Sequence, residues 1–166
     1  VGTTADGLWA ANVTVDQVAP TVASVSAPPA TYTMRLQVPI TVTFSEAVTV
    51  TGTPTLALSV CRTTNIACDT PVEATYVSGT GTASIAFRYT VVAGDTTSGQ
   101  PLQYTATTAL AGGIIKDLAG NSAVRTLPSL GSGSALAASN AVIDGATDNG
   151  IDTQSPTVNG LSLIHI

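Results

Sequence analysis

The phrase Asp16-Gln-Val-Ala-Pro-Thr-Val22 returns as Asp152-Thr-Gln-Ser-Pro-Thr-Val158, 136 residues later, with the same Asp-x-x-x-Pro-Thr-Val skeleton. Proline fixes its own φ and biases the preceding residue toward extended backbone, so each copy reads as a stiff connector feeding a strand. A phrase recurring at that distance marks a tandem array of modules. The chain then divides into the last strand of a preceding repeat over 1–15, one full repeat over 16–151 and a connector to the next repeat over 152–160. The six residues Leu161-Ser-Leu-Ile-His-Ile166 are a separate matter. They translate the string CTGTCTCTTATACACATC, which resembles the mosaic-end adapter of transposon-based sequencing libraries, and read as adapter sequence to be set aside in fold reasoning. The alternative is a genuine start of the next first strand, for which Val158, Leu161 and Leu163 are suitable residues.

Within the repeat, apolar residues recur at period two. Met34, Leu36, Val38, Ile40, Val42 and Phe44 alternate with Arg35, Gln37, Thr41 and Thr43, the pattern of a strand with one face in a core. Pro39 interrupts it, so pairing is expected to begin near Ile40, or the strand to lie at an edge there. Similar runs predict strands at Thr21–Ser26, Leu56–Val60, Val72–Val77, Ile85–Val91 and Leu102–Thr108, the sixth extended by Ile114-Ile115 after Gly112-Gly113. Ser139–Ile143 is expected as the last. Trp9, Ala11, Val13 and Val15 alternate likewise before the first connector. About seven short strands, punctuated by turns and with no amphipathic helical window, predict an all-β, immunoglobulin-like sandwich.

Charge removes several functions. Only 9% of residues are charged, the net charge is −5 and lysine occurs once, at Lys116, which disfavours nucleic acid as a partner. No segment is long and apolar enough to span a bilayer, so membrane insertion is not expected. The sole histidine, His165, lies in the suspect tail, which excludes Ser-His-Asp and Cys-His nucleophile systems and a histidine-ligated zinc site. Paired carboxylates could serve a glycosidase, yet one Trp, two Phe and four Tyr supply a sugar cleft poorly, so no enzyme activity is expected. Cys61 and Cys68 flank six residues between two apolar runs, which suits a disulfide across a hairpin tip and an oxidising, extracellular location. Two free thiols or half of a metal site are the alternatives.

Strand parity sorts the acidic residues to two poles. If seven strands alternate in direction, Asp16 of the connector, Glu46 of the second-to-third loop, and Asp117 and Asn121 of the sixth-to-seventh loop meet at one end. The other end receives Cys61–Cys68, Asp95, and the exit through Asp144, Asp148 and Asp152. Carboxylates gathered without a base repel unless a cation lies between them, and Ca²⁺ takes six to eight oxygens of this kind. The competing reading is that Asp117 and Asn121 only shape a turn, with Gly120 at positive φ.

Phe44-Ser45-Glu46-x-Val48, Gly52-Thr53-Pro54-x-Leu56, Ala74-x-Tyr76-x-Ser78-Gly79-x-Gly81-Thr82, Phe87-x-Tyr89-x-Val91-x-x-Gly94-Asp95 and Ile115-x-Asp117-x-Ala119-Gly120-Asn121 stand in this order. Over about residues 16–152 the chain thereby resembles the bacterial Ig-like repeats of large secreted or surface proteins, especially repetitive adhesins. The resemblance implies a non-catalytic extracellular spacer on the bacterial cell surface, often rigidified by Ca²⁺ where repeats join. Its partners would be the neighbouring repeats, with any host or matrix receptor met by other parts of the protein. Calcium roles would fall to Asp16, Glu46, Asp117 and Asn121, and by repetition to Asp152, with Asp95, Asp144 and Asp148 as a second rank. Two departures stand out: Arg35-Leu36 replaces a Gly-Asp pair common in relatives, and the exit from Asp144 to Asp152 is long, either an extra acidic cation loop or a looser joint. The rival functions are a module that binds a glycan or protein receptor directly, and an accessory domain of a secreted polysaccharide-degrading enzyme.

Overall fold

The computed structural model describes residues 15–62 and 71–148, with side chains over 15–61 and 71–146. The expected strand at 1–15, apart from Val15, the connector at 152–160 and the tail at 161–166 lie outside the described residues.

Among the described residues the chain is all-β, in two sheets, with one short 3₁₀ turn. In chain order the strands are β1 (Val22–Ser26), β2 (Thr31–Met34), β3 (Gln37–Thr51), β4 (Thr55–Ser59), β5 (Cys61–Arg62), β6 (Val72–Ser78), β7 (Thr82–Thr90), β8 (Asp95–Thr96), β9 (Gln103–Tyr104), β10 (Leu110–Ala111), β11 (Ile114–Lys116) and β12 (Val142–Asp148). The larger sheet runs β1-β3-β7-β6-β4-β10, with β9 also on β4 and β11 on β3. The smaller runs β2-β12-β8-β5.

The alternation in β3 does what period two requires. Val38, Ile40, Val42, Phe44 and Val48 are buried, and they share one core with Leu56, Leu58, Ile85 and Phe87 of the same sheet and with Leu136 and Ile143. β7 pairs antiparallel along one flank of β3, from Gln37↔Thr90 to Thr43↔Ser84, then again at Val48↔Thr82. β1 covers the other flank only from Phe44 to Thr41. Pro39 therefore sits in the paired strand, opposite Arg88, where the β1 side has already ended and no donor is needed.

Three expected strands have different bounds. The second divides at Arg35, which takes a left-handed φ of 71° and turns the chain out of β2, in the smaller sheet, into β3 in the larger. The sixth is three short pieces: β9 and β10 pair with β4, whereas β11 pairs with the far half of β3. The last begins at Val142, because Leu136–Ser139 forms the 3₁₀ turn and Asn140 closes it at φ 54°. β12 then runs parallel to β2 and ends with Asp148 opposite Met34.

The break in the sixth strand has a steric cause. The segments Thr49–Leu56 and Leu110–Lys116 pair antiparallel around a corner, and both bend at glycine, Gly52 at φ 81° and Gly112-Gly113 at φ 66° and 51°. A Cβ on Gly113 would stand 2.8 Å from Pro54 Cδ and 3.0 Å from both Pro54 N and Thr51 O. Arg125 clasps the bend from outside, donating from Nη1 to the Gly112 carbonyl at 2.6 Å and from Nη2 to the Gly113 carbonyl at 2.8 Å.

Gly81 provides a control, since it too has positive φ (84°) but nothing within 4 Å of a built Cβ. Gly81→Ala is expected to cost only the left-handed penalty of about 1–2 kcal/mol. Gly113→Ala should add an overpacking cost of about 1–3 kcal/mol on top of it. Urea unfolding of the two variants side by side checks this, and equal destabilisation would remove the close approach from the account.

Candidate functional site

The connector is docked onto the fold by backbone and amide contacts. Pro20 is buried and its carbonyl accepts from Val124 N at 2.8 Å, while Thr21 N donates to Ser45 Oγ at 3.0 Å. Asn121 ties the loop after β11 to the same segment, its Nδ2 donating to the carbonyls of Asp16 at 3.0 Å and Val18 at 3.3 Å. Nδ2 also reaches Asp117 Oδ2 at 2.7 Å, and Asn121 N donates to Asp117 Oδ1 at 2.7 Å. Gly120, at φ 96°, lets the loop close on itself.

These contacts bring three carboxylates together. Ligand-capable oxygens of Asp16, Glu46 and Asp117 all lie within 4.8 Å of one another, the only group of three or more His, Cys, Asp or Glu among the described residues. Asp16 comes from the connector, Glu46 from β3 and Asp117 from the loop after β11. They floor an open recess of about 550 Å³ whose walls are Val15, Ala47, Leu118 and Ala119.

Glu46 was expected in a loop and stands instead inside β3, at the irregularity between Thr43 and Val48. The sequence held the signal: Val48 and Val50 continue the even-numbered parity of Val38 to Phe44, which places Glu46 on the core-facing series. A bulge swings such a residue out at the end of the sheet rather than burying its charge.

The three acids are not equivalent. Burial would raise the Asp117 carboxyl, but hydrogen bonds from the Asn121 side chain and from the backbone of Asn121, Gly120 and Ala119 outweigh it and hold Asp117 below the ordinary aspartate value. Glu46 is pushed the other way, first by desolvation and then by the negative charges of Asp16 and Asp117. Asp16 Oδ1 accepts from Val18 N at 2.9 Å, a local turn bond. One carboxylate is thus built to stay charged while its neighbour resists charging.

The remaining candidates lie elsewhere. Asp95 is fully buried in β8, where Oδ2 accepts from the Tyr89 hydroxyl and from Val92 N at 2.9 Å. Asp144 lies in β12 opposite Thr96, with Oδ1 accepting from Ala146 N at 3.2 Å. Cys61 stands in β5 opposite Thr96. Cys68 and Asp152 lie outside the described residues, as does the side chain of Asp148. The fold thus gathers Asp16, Glu46, Asp117 and Asn121 at one end, and places Cys61, Asp95 and Asp144 in the smaller sheet. None of the described helical structure is long and apolar enough to cross a membrane.

A scan against models of protein families, a search of curated proteins and a search of solved structures each return no match.

Glu46 supplies a pH test. Its raised folded value means that the penalty on the Glu46 charge, from desolvation first and the neighbouring carboxylates second, is absent below the ordinary glutamate range and grows from there until pH exceeds the folded value. In chelator, Glu46→Gln should raise Tm at neutral pH, and the gain should shrink toward zero at pH below about 4, where glutamate too is neutral. A gain that persists unchanged in acid would mean that the charge on Glu46 is not its source.

Proposed function

We propose that the chain carries an extracellular, non-catalytic Ig-like spacer module of a bacterial multi-repeat surface adhesin, stiffened by Ca²⁺ where its connector docks. The supporting observation is the meeting of Asp16, Glu46 and Asp117, from three separate segments, within 4.8 Å. Hard oxygen donors without histidine or thiolate suit Ca²⁺ better than a transition metal. The ion would bridge connector, strand bulge and loop, and so convert a hinge into a braced joint. Asn121 serves this reading by holding Asp117 against the connector backbone.

The expected affinity lies in the ~10⁻⁴ to 10⁻³ M range of extracellular modules. At about 100 times the dissociation constant, binding adds about 2.7 kcal/mol of stability by linkage. Calorimetry and thermal melting of the whole chain with calcium or chelator test it. Glu46→Gln should stabilise in chelator and destabilise relative to the parent in calcium. No heat of binding and no calcium-dependent rise in Tm would leave the three acids as turn and bulge residues only.

The extracellular reading also assigns a disulfide between Cys61 and Cys68, closing the segment between β5 and β6. Thiol titration of the unreduced, unfolded chain should find no reactive thiol. Two reactive thiols would overturn the assignment and weaken the secreted location with it.

A further inference from the structure

The recurring connector phrase has a seat on the fold, and its contacts there match the residues that recur. The positions shared with Asp152–Val158 are Asp16, Pro20, Thr21 and Val22, whereas Gln17, Val18 and Ala19 are replaced by Thr153, Gln154 and Ser155. Pro20 is buried, and Val22 packs partly buried against the core, opposite Phe44. Asp16 Oδ1 closes its own turn by accepting from Val18 N at 2.9 Å. Thr21 is held by its backbone, its N–H donating to Ser45 Oγ at 3.0 Å and its carbonyl accepting from Ser45 N at 2.8 Å. The replaced residues face outward: Gln17 and Val18 are exposed and Ala19 is half-buried.

The seat reads the remainder of the phrase through main-chain atoms. Asn121 Nδ2 donates to the carbonyls of Asp16 and Val18, Val124 N donates to the carbonyl of Pro20, and Thr21 bridges parallel to Val124. Every residue type supplies such a carbonyl. A segment that repeats Asp-x-x-x-Pro-Thr-Val therefore meets each of these contacts, and glutamine in place of valine at the exposed third position suits solvent better.

Asp152–Val158 is such a segment, and it cannot fill the seat of its own fold. β12 ends at Asp148 opposite Met34, close to the start of β3 at Gln37. In the seat, Asp16 lies beside Glu46, about 30 Å further along β3 at the rise of a strand. The four residues from Asp148 to Asp152 reach at most about 14 Å.

We propose that this seat is a docking site for the connector phrase of a second copy of the chain, with Asp152–Val158 of one copy taking the place that Asp16–Val22 holds in another. Exchange of an identical element is a low-cost contact between copies, and it is head to tail here because exit and seat lie at opposite ends of β3. The resident phrase competes from a tether, at an effective concentration of about millimolar, so the exchange shows once that phrase is disabled. The inference goes beyond the calcium reading and needs no bound ion.

Pro20→Asp disables the resident phrase by placing a charge at a buried position, and leaves Ser45, Asn121 and Val124 intact. A fluorescent peptide of residues 150–160, titrated in chelator against the whole chain and read by anisotropy, tests the seat. The Pro20→Asp chain should bind it at least about tenfold more tightly than the parent, and Pro156→Asp in the peptide should cost a similar factor. In sedimentation equilibrium the Pro20→Asp chain should associate as its concentration rises, whereas the chain carrying both Pro20→Asp and Pro156→Asp should stay monomeric. If Pro20→Asp does not fold alone, the peptide should restore its β-sheet circular dichroism, and the milder Pro20→Gly gives the same comparison in a folded chain. Equal binding to parent and variant, binding to neither, or association that Pro156→Asp leaves unchanged overturns the proposal. Calcium calorimetry of the parent separates the two readings. Peptide uptake without calcium binding sinks the calcium reading alone, and calcium binding without peptide uptake sinks the docking alone.

Discussion

One strand sets the frame on which everything else depends. β3 runs for 15 residues, is buried by its even-numbered side chains, and is paired on both flanks in its middle. Its length forces a choice at the point where the core ends. A charged residue on the buried parity must either take its charge inside, at a cost of several kcal/mol, or interrupt the ladder. The interruption at Glu46 is the cheaper outcome, and it aims a carboxylate out of the sheet where β1 begins and β11 arrives. The acidic end is thus a consequence of how the strand terminates.

Once Glu46 is there, the behaviour of its neighbours follows from hydrogen-bond supply. Asp117 receives bonds from Asn121 through both its side chain and its backbone, and these favour the charged form enough to overcome desolvation. Glu46 is penalised first by desolvation and then by the charges of Asp16 and Asp117. The same Asn121 amide holds the connector carbonyls of Asp16 and Val18, so the contact that fixes Asp117 as an anion also fixes where the chain enters. Losing Asn121 would loosen the joint and relax the electrostatic conflict together.

Much of this was legible in the sequence, and what was not has identifiable causes. Period two located the cores of β1, β3, β4, β6 and β7, because half-buried strands have only one way to alternate. Strand direction points to the meeting of Asp16, Glu46 and Asp117, although that reading takes Glu46 for a loop residue and counts seven alternating strands. Three things were hidden. Arg35 adopts a conformation that its residue type does not advertise, so one apolar run concealed a crossing between sheets. The pieces β9, β10 and β11 are two or three residues long, too short for any periodicity to register. β2, β5 and β8 are defined by partners distant in sequence, most clearly the parallel pairing of β12 with β2.

The positive φ at Arg35 and the gathered carboxylates around Glu46 have separate, local causes. A left-handed backbone at a non-glycine residue costs about 1–2 kcal/mol, and such strain persists only where something else sustains it. Here the corner between the two sheets fixes the backbone, but it does not require a guanidinium; glycine would satisfy the same φ without strain. The carboxylates at the other end are likewise held by a local network that leaves their combined charge unbalanced. Two agents can restore the balance: a proton on Glu46 or a divalent cation among the oxygens. Each changes a different observable, the pH dependence of stability and the heat of ion binding, so the charge imbalance can be traced to its partner without assuming which one the fold has selected.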